Sequence, residues 1–376
     1  MTPNQIIQGD ALEVLRTWPD ACIDSVVTDP PYGLRFMGKK WDYDVPSVEL
    51  WQEVLRVMKP GSHLLAFAGT RTQHRMAVNI EDAGFEIRDM LAWVYGSGFP
   101  KSMNVANSIH DAEIGQPQGG VKPESKNHWQ GWGTALKPAM EMITLARKPL
   151  IGTVAENVLK HGTGGLNIDE CRIGASSTPR KDPRNGKITN AHMEMRPWMK
   201  RRIENGEPLK GDFDGLSGRF PSNFIHDGSD EVLALFPETT SGAKLPHHKS
   251  HESENRAMSG KNYARGPQFS PGSTGSAARF FYVPKADKAE RGEENGHPTV
   301  KPIDLIKYLI RLITPPGGIV LDCFAGSGTT AIAAHQLGFN WVLIEREQKY
   351  VEDIIKPRIK RECTQLHLFQ NRTANA

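Results

Sequence analysis

The sequence predicts an α/β protein built on a doubly wound, mostly parallel sheet, with a long region of different character set inside it. Three observations carry this. Residues 1–98 alternate short apolar strands with amphipathic helices, and residues 297–361 repeat the alternation. In the second block a glycine turn sits directly between a strand and a helix, the connection that parallel strands require.

In chain order, Ile23-Asp-Ser-Val-Val27 reads as a short buried strand that extends to Thr28. Val48–Val57 has helical apolar spacing, and Lys59-Pro60-Gly61 is expected to stop it before a second strand, His63–Phe67. A further strand is expected over Met90–Val94. The second block reads as helix Ile303–Ile313, a breaker at Pro315-Pro316-Gly317-Gly318 and strand Ile319–Leu321. The glycine turn follows, then helix Thr330–Leu337 and strand Trp341–Ile344. Residues 99–296 are richer in Gly, Pro, His, Asn and Ser and lack sustained periodicity; within them, 241–279 reads as a mobile loop. The expected divisions are therefore 1–98, 99–296, 297–361 and a tail at 362–376.

A chain of 376 residues with 38% hydrophobic content can bury a substantial core. No run of about eighteen apolar residues appears, and MTPNQIIQGD lacks a signal-peptide layout, so a cytoplasmic protein without membrane contact is expected. Cys22, Cys171, Cys323 and Cys363 show no Cys-x-x-Cys spacing, which points to reduced thiols and no cysteine-based metal site. With 46 Lys and Arg against 43 Asp and Glu, bulk charge does not identify a polyanionic partner. The densest basic cluster, Arg196–Arg202, reads either as a phosphate contact or as a solvated helix face.

Two motifs carry chemistry. In Leu321-Asp322-Cys-Phe324-Ala-Gly326-Ser-Gly328-Thr329-Thr330 the glycines permit a tight turn and let a cofactor approach the backbone. Glu345, about twenty residues on, ends the next strand, where a carboxylate can accept from both hydroxyls of a ribose. The other motif is Asp29-Pro30-Pro31-Tyr32, at the end of the first buried strand. Two prolines hold the backbone extended, so the Asp29 carboxylate and Pro30 carbonyl can converge on one amine with two donors, and Tyr32 can stack on the ring bearing it.

Together these motifs resemble the β-class DNA amino-methyltransferases, the adenine-N6 and cytosine-N4 family, in particular phage- and prophage-type adenine-specific members. The resemblance covers both α/β blocks. It implies a circularly permuted, Rossmann-like methyltransferase sheet with an inserted target-recognition region. Asp29, Pro30, Pro31 and Tyr32 match the catalytic tetrapeptide, and Phe324, Ala325, Gly326, Ser327, Gly328 and Thr329 the S-adenosylmethionine loop. His297-Pro-Thr-Val-Lys301-Pro302 is similar to a helix-opening cofactor motif, so Thr299 and Lys301 are expected to hold the methionine moiety. Ile6-Ile-Gln-Gly9-Asp10 resembles the third strand and its loop, which puts Asp10 near the cofactor adenine and adds it to Asp29, Asp322 and Glu345 as cofactor residues. Strand Met90–Val94 followed by Tyr95–Lys101 resembles the lining of a target-base pocket, in which Trp93 or Phe99 is either an aromatic contact or part of the core.

The implied function is methyl transfer from S-adenosylmethionine to adenine N6 in double-stranded DNA, by base flipping and direct attack. The implied setting is a bacterial or phage restriction-modification system, with a homodimer and a cognate restriction enzyme as partners. Lys137-Pro-Ala-Met-Glu141, Gly162–Asp169 and Gly218–Asn223 are also similar to members of this group; Glu141 and Asn223 either contact the site or cap local structure. Cytosine N4 is the alternative target, although that activity more often goes with Ser at the position of Asp29. RNA or protein relatives usually place the cofactor loop first, opposite to the order here. A dehydrogenase would need Gly-x-Gly-x-x-Gly, which Phe324–Thr330 does not supply; a silent DNA binder would not need Asp29. Glu156-Asn157-Val158 matches a cytosine-carbon methyltransferase tripeptide, but no Pro-Cys nucleophile exists. His247-His248-x-x-His251 reads as solvated loop, and no metal is expected.

Overall fold

Val26 and Val27, Leu64 and Leu65, Val320 and Leu321, and Val342 and Leu343 are all fully buried, and each pair splits between two separate apolar clusters. Successive strand residues point to opposite faces, so strands buried on both faces lie inside a sheet that is covered on both sides. The computed structural model describes residues 2–34, 43–96, 98, 102–114, 128–173, 180–181, 188–189, 219–241, 273–284 and 300–362.

Among these residues, one sheet holds eight strands: β1 (Gln5–Gln8), β2 (Ile23–Thr28), β3 (Met58–Ala68), β4 (Glu86–Val94), β5 (Met140–Arg147), β6 (Phe224–His226), β7 (Ile319–Asp322) and β8 (Asn340–Glu345). Their order is β1-β8-β7-β2-β3-β5-β4-β6. β5 runs antiparallel to both neighbours, and every other pair is parallel.

Helices α1 (Ala11–Arg16), α2 (Val48–Val57) and α3 (Gln73–Asp82) cover one face, burying Leu15, Trp51, Val54, Met76 and Ile80 against it. α4 (Val105–Ile114) and α5 (Val154–His161) belong to the middle of the chain, while α6 (Ile303–Ile313) and α7 (Thr329–Gln336) cover the other face. α6 buries eight of its eleven residues and keeps its charged ones, Asp304, Lys307 and Arg311, on a single stripe, the pattern of a helix packed between a sheet and a second helix with one face left open. Thr314-Pro315-Pro316 ends it, because proline cannot continue the hydrogen-bond ladder.

Three expectations need correction. Lys59-Pro60-Gly61 does stop α2, but it lies within β3, which begins at Met58. The register against β2 jumps there, with Ile23 opposite Met58 and Ser25 opposite His63. Gly61, at φ +78°, takes a conformation that other residues resist, and its N–H reaches the Lys148 carbonyl at 3.1 Å. Secondly, the sheet crosses the expected division at residue 98. β5 inserts between β3 and β4 with Ile143, Leu145 and Ala146 buried, and β6 extends the edge beyond β4. Thirdly, Ser273–Ser276 pairs with Glu238–Ser241 in a two-stranded ribbon, so the ends of the stretch read as a mobile loop are regular structure. His247, His248 and His251, the Arg196–Arg202 cluster and Cys363 lie outside the described residues.

α5 shows what Glu156-Asn157-Val158 does. Thr153 and Glu156 form a reciprocal cap, and Gly162 closes the helix. Asn157, fully buried, donates to the carbonyls of Pro60 and Thr163 at 2.8 Å each and accepts from Ile151 N–H at 2.9 Å. The tripeptide and Gly162–Gly165 together form a joint that pins α5 to the bulge in β3.

Candidate active site

The chain leaves β7 toward β8 on one side and leaves β2 toward β3 on the other, so the carboxyl ends of β7 and β2 part at a topological switch point. A crevice forms there in doubly wound sheets because consecutive connections diverge. Asp322 holds its floor. It accepts from Thr28 Oγ1 at 2.7 Å, Thr330 Oγ1 at 2.7 Å and Phe324 N–H at 3.1 Å, stitching the glycine turn to the end of β2. Burial pushes its carboxyl up to about 6, against the three donors that favour the charged form.

The turn Phe324–Gly328 is braced from two sides. Gly326 N–H donates to Glu345 Oε2 at 2.8 Å and Glu347 N–H to Oε1 at 2.9 Å, and burial raises the Glu345 carboxyl above the ordinary range. From the opposite side the buried Arg358 donates to Ser327 O and Oγ, both at 3.0 Å, and to Thr329 Oγ1 at 2.8 Å. Gly328 has φ +77°, and a Cβ there would come within 2.9 Å of Ile355. Asp10 sits beside Glu345: it caps α1 through Leu12 N–H at 3.0 Å, and Gly9 N–H reaches the Glu345 carbonyl at 3.0 Å.

On the other side of the crevice, Asp29 belongs to a cluster of four. Lys301 Nζ lies 2.6 Å from Asp29 Oδ2 and 3.1 Å from Glu141 Oε2. The Tyr32 hydroxyl lies 2.7 Å from Asp29 Oδ1 and 2.9 Å from Glu141 Oε2. Lys301 is only 7% exposed, and its ammonium lies 4.9 Å from the Phe67 ring centroid. Burial by itself would lower the Lys301 pKa, but the two carboxylates outweigh it and hold the group charged. Burial and the same carboxylates keep the Tyr32 phenol neutral, well above its ordinary value.

These two sides face one cleft of about 400 Å³. Asp10, Asp29, Pro30, Pro31, Tyr32, Lys301, Asp322 and Glu345 line it, as do Phe324, Ala325, Gly326, Ser327 and Thr329 of the turn. Gly328 shapes the turn without lining the cleft. Trp93 does not line it either; it packs on the core with its ring 5.1 Å from Tyr95. Phe99 and Thr299 lie outside the described residues. Asn223 serves local structure, donating to Asp89 Oδ1 at 3.2 Å.

Two residues in this arrangement were not assigned from sequence. Glu141 stands at the cleft end of β5 opposite Trp93; the Lys137–Glu141 motif was its only sequence signal, and it left contact with the site and capping of local structure both open. Arg358 gave no signal at all. No cluster of three His, Cys, Asp or Glu able to hold a metal occurs among the described residues, and no helix among them is long and apolar enough to cross a membrane.

The strand order, the antiparallel β5 and the cleft at the switch point define a Rossmann-like α/β protein. The model of the N6/N4 DNA methylase family matches residues 23–356, and the chain belongs to that family. It is 33% identical over 124 residues to the Type II methyltransferase M.HindIII of Haemophilus influenzae, covering 32% of this chain and 38% of that enzyme. It is 51% identical over 55 residues to the Type II methyltransferase M1.MboII of Moraxella bovis, covering 15% and 21%. The matched stretches thus span well under half the length of these curated relatives. Among solved structures, the cytosine-N4-specific PvuII DNA methyltransferase is 15% identical, with 93% of this chain and 84% of that one covered and a TM-score of 0.44.

Proposed function

We propose that this protein transfers a methyl group from S-adenosylmethionine to the N6 amine of adenine in duplex DNA. The observation that carries the reading is that Asp29, from the front of the chain, and Gly326, from its rear, line one cleft. Its volume suits a nucleoside carrying an amino-acid tail. The donor set also fits. Glu345 and Asp10 keep acceptor capacity beyond their backbone contacts and suit ribose and adenine, because each carboxylate offers about four lone-pair sites. Phe324 and the glycine turn would flank the nucleoside, while Thr299 and Lys301 would hold the amino-acid end. When bound, S-adenosylmethionine supplies an electrophilic methyl group on a sulfonium centre.

The chain's own residues prepare the amine. An aromatic amine is a weak nucleophile because its lone pair is delocalised into the ring. Hydrogen bonds from its two N–H groups to Asp29 and the Pro30 carbonyl favour a more tetrahedral nitrogen and orient its lone pair. Pro30 and Pro31 hold both acceptors without backbone entropy to lose. Tyr32 stacks on the base, offsetting part of the few kcal/mol needed to rotate it out of the duplex. The Asp29 carboxylate can then take the proton that the methylated nitrogen gives up. The choice of adenine over cytosine rests on Asp, rather than Ser, at position 29.

The test is to incubate purified protein with radiolabelled donor and plasmid DNA and to identify the labelled nucleoside. N6-methyladenine is expected, N4-methylcytosine would move the target to cytosine, and unlabelled DNA would overturn the reading. The same reading carries a homodimer and a cognate endonuclease as partners, checked by sedimentation and by protection of the modified plasmid from cleavage.

A further inference from the structure

The Tyr32 hydroxyl has one proton and two carboxylate neighbours, Asp29 Oδ1 at 2.7 Å and Glu141 Oε2 at 2.9 Å. One proton cannot serve both acceptors, so the hydroxyl has two alternative settings. Lys301 stands between the same two groups, at 2.6 Å from Asp29 and 3.1 Å from Glu141. With the hydroxyl set on Asp29, that carboxylate has one oxygen taken by Tyr32 and the other by a buried cation. A carboxylate neutralised in this way is a poor acceptor for an incoming amine. It cannot simply release Lys301 to no partner, because an unpaired ammonium at that depth is strongly destabilising.

We propose that Glu141 is a positioning residue that takes over Tyr32 and Lys301 when Asp29 turns to the target amine. The inference rests on the function proposed above. Glu141 approaches from β5, Asp29 from the end of β2 and Lys301 from the start of α6, so the three meet only in the folded protein. Because Glu141 already lies within reach of both donors, the exchange needs little movement. It leaves the cation paired throughout and returns to Asp29 the charge that orients and activates the amine.

The test compares Glu141→Gln and Glu141→Asp with the wild type at saturating methyl donor. Glu141→Gln should lower kcat about ten- to hundredfold while KM for DNA stays within about threefold, since the loss falls on the transition state and not on duplex binding. Glu141→Asp, which keeps the charge one methylene further away, should recover part of the rate. The inference is overturned if Glu141→Gln turns over within about twofold of the wild type, if its loss lies wholly in KM, or if Glu141→Asp is no better than Glu141→Gln. Circular dichroism checks folding. If Glu141→Gln does not fold, Glu141→Asp is compared with the wild type alone, and an unchanged kcat overturns the inference. A wild type that labels no DNA defeats the proposed function, whereas an active wild type with an unaffected Glu141→Gln defeats this inference alone.

Discussion

In the proposed reaction Asp29 has to be both charged and available, and its neighbours decide whether it is. Lys301 stays protonated at 7% exposure because two carboxylates flank it, and Tyr32 stays neutral through its burial and the same two carboxylates. Replacing Asp29 by Asn keeps the shape and removes the charge. Methyl transfer should fall at least about a hundredfold, the scale of losing one well-placed polar group at a reacting centre. Donor binding, measured by calorimetry, should stay within severalfold of the wild type, because the turn, Glu345 and Asp10 are untouched. Equal losses in both would mean that Asp29 holds the donor and does not act on the amine.

At the scale of elements, the glycine turn has little internal stiffness and borrows it from Arg358 and Glu345. Arg358→Met removes three hydrogen bonds to Ser327 and Thr329 while keeping much of the side chain's apolar volume. Donor affinity should fall at least about tenfold by calorimetry, with the donor-free fold intact, since each such bond contributes about 1 kcal/mol or more. The joint between α5 and β3 makes a separate prediction. Asn157→Ala leaves the Pro60 and Thr163 carbonyls and Ile151 N–H short of partners and should destabilise the protein by about 2–4 kcal/mol in urea unfolding. It should do so without altering donor affinity in the protein that remains folded. These elements were unequally legible in the sequence. α2 and α6 read directly at Val48–Val57 and Ile303–Ile313, because a helix with a buried face and an open one leaves a clear periodicity. β5 did not, because its eight residues stand within a long polar region and its place between β3 and β4 is a long-range pairing that no local pattern encodes. Glu141 was obscured with it. The Asp29–Tyr32 and Phe324–Thr329 motifs were legible because proline restricts the backbone and glycine frees it wherever they occur. Arg358 was not, since its role exists only through tertiary contact with the turn.

For the whole molecule, the sheet order explains how the two ends of the sequence build one site: β1 pairs with β8, and the strands bearing Asp29 and Asp322 are neighbours. That construction carries a pH signature in stability. His63, buried in β3, is lowered from 6.5 to about 4 by burial and by Arg147 and Arg88. The unfolded chain takes up that proton first, so the contribution of His63 is present above about pH 6.5 and is lost as pH falls toward 4. Asp322 acts in the opposite sense. Its folded carboxyl keeps the proton up to about 6 against 3.8 unfolded, so its contribution is present at low pH and is lost as pH rises through about 6. The two slopes oppose each other in the wild type. Urea unfolding of His63→Gln from pH 4 to 7 should therefore show stability falling with rising pH more steeply than in the wild type, and an unchanged profile would contradict the assignment. The central claim is that one cleft, assembled from both chain ends, methylates a DNA amine. Mass spectrometry of nucleosides from plasmid incubated in parallel with wild type and Asp29→Asn tests it most directly. N6-methyladenine from the wild type and almost none from the variant is the predicted result; equal methylation by both, or none by the wild type, would contradict it.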